Sequence, residues 1–195
     1  MKIYHGSDVS GIEVLRPQKS AHEKEYIYFS TDIVVASLYT VHPLPRPYHY
    51  FPYGFDNGRE GRCRYAEYYP YALKEVYGGK RGFIYECDVD EEKLENPTQI
   101  FCARVSSVPV KVDKCIKIED MYKWLLQREG EGKFVLKRFE TLTENGLQNW
   151  YKRTAEDMVN DGITPATDNP YIRFIKDKMP KAWELFEQQI RESAK

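Results

Sequence analysis

The sequence predicts an α+β protein, and three observations carry that expectation. Short apolar runs of alternating polarity recur through residues 1–118, apolar residues at helical spacing dominate 119–195, and a proline- and glycine-rich stretch at 42–58 interrupts the first part. The chain therefore divides into a mixed domain at 1–118 and a helical extension at 119–195. The large apolar residues of the extension need a surface, and the sheet of the first domain is expected to supply it.

Lys2-Ile3-Tyr4-His5 reads as a short strand ending at Gly6, followed by a turn through Ser7, Asp8, Ser10 and Gly11. Tyr26-Ile27-Tyr28-Phe29 is a second strand, rich in aromatic and β-branched residues. Thr31 or Asp32 then caps a helix carrying Val34, Val35, Leu38 and Tyr39. Pro43, Pro45, Pro47 and Pro52 break both helix and strand, so 42–58 is expected to be a long loop, of the kind that serves as a lid or binding segment. Residues 65–77 suggest a helix stopped by Gly78-Gly79. Residues 82–89 alternate as a half-buried strand, Glu91 to Leu94 make a short turn or helix, and 98–105 and 108–118 give further strands. Pro109 puts the last of these at an edge or a bulge. At the start of the extension, Ile118, Met121, Trp124 and Leu125 share one helical face. Phe134, Val135, Arg138, Phe139 and Leu142 suggest a second helix, and Leu147, Trp150, Tyr151, Met158 and Val159 a third. Tyr171 to Ile175 and Trp183 to Ile190 repeat the pattern.

Composition narrows the function classes. Apolar residues make up 42% and charged residues 30%, which is ordinary for a globular chain. A net charge of −1 supplies no global field for nucleic acid or an anionic membrane. No apolar run reaches the roughly 20 residues of a membrane span, and the N-terminus lacks the apolar core of a signal peptide, so a cytoplasmic location is expected. Cys63, Cys87, Cys102 and Cys115 form no C-x-x-C pair and no zinc-like spacing with histidine, and read as free buried thiols. The 16 tyrosines, many between Tyr26 and Tyr85, suit a wet, ring-lined cleft as well as they suit an aromatic core.

Two features carry chemistry. His5-Gly6 at a strand end offers an imidazole beside backbone that a ligand can approach closely. Tyr28 on a strand and Tyr39 eleven positions later on the following helix can bracket a flat heterocycle, although Tyr39 is also in register with the apolar helix face.

Tyr4-His5-Gly6-Ser7, then Ile27-Tyr28-Phe29-Ser30-Thr31-Asp32, then Ala36-Ser37-Leu38-Tyr39 resembles the front half of the ADP-ribosyltransferase superfamily. The nearest patterns are the poly(ADP-ribose) polymerase-like branch, marked by His, Tyr and Glu, and the rifampin ADP-ribosyltransferases. The resemblance is good over 2–40, loose over 82–112 and absent from the extension. It implies a split antiparallel β-sheet around an NAD cleft, and a glycosyltransferase reaction moving ADP-ribose from NAD to an acceptor with release of nicotinamide. By the same resemblance His5 bonds the nicotinamide ribose, the Gly6 backbone holds the carboxamide, and Tyr28 and Tyr39 stack on the nicotinamide ring. Ser37 stands one position from the serine that helps hold the carboxamide in the polymerases.

The reaction develops positive charge on the ribose, which is why such sites place a carboxylate beside it. The resemblance implies an acidic residue near Ala103 or Arg104, and neither is acidic. Glu86, and with it Asp88, Glu119 or Asp120, are the carboxylates that could act from another direction. The candidate catalytic residues are thus His5, Tyr28 and Glu86. Arg62, Arg64 and Arg104 are candidates for a pyrophosphate, since guanidinium forks fit phosphate oxygens. The acceptor is left open among protein, nucleic acid, small molecule and water. The alternative is a catalytically silent module on the same fold, binding NAD, a related nucleotide or a protein partner. The aromatics of 42–58 raise single-stranded nucleic acid as a third reading, against which only Arg46 in that stretch is basic.

Overall fold

The structure is a computed structural model, and it describes residues 1–19, 24–41, 53–58, 60–98 and 100–193. Its strands are β1 (Lys2–Ser7), β2 (Val14–Leu15), β3 (Gln18–Lys19), β4 (Glu25–Ser30), β5 (Tyr53–Asn57), β6 (Glu60–Ala66), β7 (Gly82–Asp88), β8 (Ala103–Ser106), β9 (Val110–Lys111), β10 (Lys114–Ile118) and β11 (Phe134–Lys137). Its α-helices are α1 (Ile33–Leu38), α2 (Ala72–Tyr77), α3 (Met121–Gly130), α4 (Glu144–Asn160), α5 (Pro170–Lys178) and α6 (Pro180–Ser193). The mixed α+β class holds, with antiparallel sheets and six helices among the described residues.

The main sheet runs β10-β7-β1-β4-β3, with β8 also pairing β4, and every recorded pairing in it is antiparallel. Alternation explains its two faces. Ile3, Ile27, Phe29, Tyr85 and Cys87 point to one side and form a core with Leu15 and Val110 from the β2–β9 ribbon. The other side meets α1, whose Val34, Val35, Ala36, Ser37 and Leu38 are all buried. Asp32 starts α1 by accepting from the Val34 amide at 2.7 Å. Gly82 stays a glycine because a Cβ there would lie 2.6 Å from both the Met121 sulfur and the Thr40 Cβ.

Compact units divide the chain differently from the composition. Of the described residues, one unit holds 1–19, 24–41, 54–58, 60–64, 73–98 and 100–135, and the other holds Tyr53, 65–72 and 136–193. The helix α3 therefore belongs with the sheet, and the division falls after Val135 rather than near residue 118. In the second unit, α4, α5 and α6 enclose Ala155, Met158, Ile172, Ile175, Ala182 and Phe186. Thr143 caps α4 through the Gly146 amide, and Asn169 caps α5 through the Ile172 amide with Pro170 at the first turn. Tyr68 stacks on Trp150 at 4.0 Å with the rings 7° apart.

Several elements correct the sequence expectations. Phe134–Lys137 is a strand paired to β6, with a 3₁₀ turn at Phe139–Thr141, where a second helix was expected. Residues 65 and 66 finish β6, so the helix before Gly78 covers only Ala72–Tyr77. The expected loop over 42–58 contains β5 at Tyr53–Asn57, which pairs with β6; 42–52 lie outside the described residues. The strand expected at 98–105 begins only at Ala103, and 108–118 is divided into β9 and β10, so that Ile118 ends a strand and the helical face begins at Met121. Cys115 is exposed, while Cys63, Cys87 and Cys102 are buried. No helix among the described residues is long and apolar enough to cross a membrane.

Candidate functional site

The phase of the β1–β7 ladder decides what β1 offers to its other neighbour. The Val89 amide donates to the Met1 carbonyl at 3.0 Å, and the Met1 ammonium donates back to the Val89 carbonyl. In an antiparallel pair such exchanges alternate. With Ile3 opposite Cys87 and His5 opposite Tyr85, the odd residues of β1 bond β7. Tyr4 and Gly6 therefore turn their amide and carbonyl groups toward β4.

That side is where the two strands part. The register of β1 with β4 is recorded only at Tyr4↔Ser30, and further along, β4 pairs with β3 at Gln18↔Tyr26 instead. Between these points His5 spans the gap: its Nδ1 lies 2.9 Å from the Tyr28 carbonyl oxygen. A carbonyl only accepts, so Nδ1 carries the proton and Nε2 presents a lone pair. The Phe29 and imidazole rings meet in a T-shaped contact, centroids 6.0 Å apart and planes at 68°, which orients the imidazole. Burial outweighs the Tyr28 hydrogen bond and holds the His5 imidazole below its ordinary pKa, so it is neutral at neutral pH.

Gly6 is required by packing. A Cβ on it would sit 2.0 Å from the Ala36 carbonyl oxygen and 3.2 Å from the Thr40 amide. The last turn of α1 thus lies directly on Gly6, and Tyr39 is the C-cap that ends this turn. Tyr39 is 38% exposed and Tyr28 39%, both high for rings of that size on packed elements. Tyr28 shares the α1 face of the sheet with Gly6, since Tyr4 and Ser30 are paired and side chains alternate. Tyr26 meets Tyr28 edge-on at 6.3 Å.

Other candidates are not presented in the same way. The Ser37 hydroxyl is fully buried and donates to the Val34 carbonyl at 2.7 Å, inside its own helix. Glu86 lies opposite Tyr4, away from the parting of the strands, and bonds the Lys2 ammonium at 2.7 Å. That carboxylate raises the Lys2 pKa. Asp88 binds the N-terminal ammonium, and Glu119 bonds Arg81 and Lys117. Asp120 is the N-cap of α3. Beside Tyr28 on β8 stand Val105, its direct partner, and Ala103, so no acidic side chain comes from that strand. Arg104 folds back to donate to the carbonyls of Phe101 and Ala103, and Arg62 is engaged by Asp56 and the Gly132 carbonyl. Arg64, on β6, buries its Nε with no hydrogen-bond partner among the described residues. Burial pushes the Cys87 thiol up to about 12 and raises Cys63 and Cys102 as well, so these thiols stay protonated and weakly nucleophilic.

What sequence reasoning missed is Tyr28's carbonyl, the group that fixes the imidazole tautomer. No side-chain pattern signals a main-chain acceptor. Comparisons of the chain with protein-family models, curated proteins and solved structures find no match.

Proposed function

We propose that the parting of β1 and β4 is an NAD cleft and that the protein transfers ADP-ribose from NAD to an acceptor, releasing nicotinamide. One observation carries this reading: His5, held as a neutral Nδ1–H tautomer by Tyr28, stands next to a Gly6 amide and carbonyl turned into the same gap. A primary carboxamide needs one donor and one acceptor side by side, and Gly6 offers both. The Nε2 lone pair of His5 suits a ribose hydroxyl. The exposed ring of Tyr28, on the Gly6 face of the sheet, and that of Tyr39, at the end of α1, suit a flat pyridine ring, each stack adding roughly 0.5–1.5 kcal/mol beyond area burial. Neutral His5, unlike an imidazolium, adds no repulsion as the ribose becomes cationic.

A second reading is favoured by Ala103 and Val105 beside Tyr28: the same cleft binds NAD or a related nucleotide without turning it over. No carboxylate on β8 stabilises the cationic ribose, and Glu86 is tied to Lys2. Chromatographic assay of nicotinamide release, run with calorimetry of NAD binding, separates the two. The first reading expects release that His5→Ala and Tyr28→Ala each abolish. Binding weakened by both variants, with no release from the native protein, establishes the second; no heat from NAD with the native protein refutes both.

A further inference from the structure

We propose that Tyr77 is a positioning residue for the NAD cleft: its hydroxyl fixes the peptide plane that carries Tyr39, and through that plane the ring offered to nicotinamide. The inference rests on the cleft reading above and adds a residue to it.

α1 has six residues, and the last carbonyls of a helix lack intrahelical amides. Hydroxyls take two of them here. Thr40, two residues past the helix, donates to the Ser37 carbonyl at 2.7 Å. The Leu38 carbonyl accepts from the Tyr77 hydroxyl at 2.9 Å. The first bond is local and would travel with α1 wherever it lay. The second comes from α2, 39 positions along the chain, and ties the end of α1 to a different element.

The Leu38 carbonyl and the Tyr39 amide belong to one rigid peptide plane. Tyr77 holds the oxygen of that plane. Its N–H donates to the Ala36 carbonyl at 3.1 Å, through the same oxygen that occupies the space of a Gly6 Cβ. The plane is therefore gripped at both ends, by α2 and by the carbonyl seated on β1. Tyr39 follows it with φ −89° and ψ 3°, in the narrow bridge region between helix and strand. Released at its oxygen, the plane can turn, and its rotation redirects the Tyr39 Cβ.

Tyr77 is itself anchored. It is buried, and the Gly78 amide that follows it donates to the Lys74 carbonyl at 2.8 Å. Two residues before β7 begins, the Lys80 carbonyl accepts from the Met121 amide at 2.8 Å. The grip on α1 is thus referred to β7, the strand that pairs β1. Leu38 is fully buried, so water does not replace the hydroxyl when it is removed. A buried carbonyl without its donor stays unpaired or turns toward another.

The test uses the full chain with NAD as the probe, in the native protein, Tyr77→Phe, Tyr39→Ala and the double variant. In Tyr77→Phe the Tyr39 amide should exchange faster with solvent and the Tyr39 ring signals should move, with the amides of β1 and β7 unchanged. NAD affinity by calorimetry should fall about three- to tenfold, the range of one hydrogen bond. In the Tyr39→Ala background the same change should have no further effect, because Tyr77 acts through Tyr39. If Tyr77→Phe does not fold, Tyr77→4-aminophenylalanine takes its place in the cycle: its weaker donor should cost less affinity, and again only while the Tyr39 ring is present. Unchanged affinity on loss of the hydroxyl, or an equal loss with and without the Tyr39 ring, overturns the proposal and leaves the cleft reading standing. No heat from NAD with the native protein overturns both.

Discussion

His5 shows how its neighbours set the protonation and orientation of one side chain. Its proton is placed by a carbonyl, its ring plane by Phe29, and its charge by burial. Because the folded pKa lies below the ordinary value near 6.5, the unfolded chain takes up the proton first. His5 thus contributes a loss of stability as pH falls through about 6.5 toward the folded value, and none above it. Observing the imidazole by NMR should give a midpoint below that of a free histidine; a midpoint at or above 6.5 contradicts the buried neutral form. Gly6 makes a harder demand. The atom 2.0 Å from its missing Cβ is a helix carbonyl, which cannot rotate away as a side-chain tip would. Gly6→Ala should cost about 1–3 kcal/mol in urea unfolding, as overpacked cores do, and should displace Tyr39 with the last turn of α1. Unchanged stability would mean that α1 is not seated on the strand. His5, Gly6, Tyr28 and Tyr39 were legible as types and spacing. The withdrawal of Ser37 into its helix and of Glu86 onto Lys2 was not, because both depend on partners that spacing does not specify.

Among the elements, α1 is held at the site by its cap and its burial rather than by intrinsic propensity, since Ile33, Val34 and Val35 are β-branched. Asp32 accepts from the Val34 amide, yet burial is the larger effect and raises its pKa. Asp32→Asn keeps the cap without the buried charge and should leave urea stability unchanged or slightly higher at neutral pH. Asp32→Ala should cost about 1 kcal/mol, the usual cost of losing a cap. Equal stability of Asn and Ala at this position would remove the cap from the account. The short strand β11 is where helical spacing misleads. Phe134 and Val135 followed by Arg138 and Phe139 fit a helix, but four residues of Phe-Val-Leu-Lys satisfy a strand equally well. Pairing with β6 decides between them.

Across the whole molecule, the candidate site falls in one compact unit, while α4, α5 and α6 form another. Phe186 is fully buried in the second unit's core. Phe186→Ala should destabilise that unit by about 3–5 kcal/mol and leave the His5 titration midpoint where it was. A shifted midpoint would show that the helical unit sets the environment of the imidazole. By itself the sequence determined what is local: the alternation of β1, β4 and β7, the Asp32 cap, the glycine stop before β7, the helical faces of α3 to α6, and the His5-Gly6 and Tyr28–Tyr39 spacing. Tertiary structure alone decided the ladder phase, and with it which amides face β4. It also decided that α3 joins the sheet and that the nearby acidic side chains are occupied elsewhere. Periodicity within a segment fixes which face is apolar, whereas hydrogen-bond phase and ion pairing are properties of two segments at once and arise only when the chain brings them together.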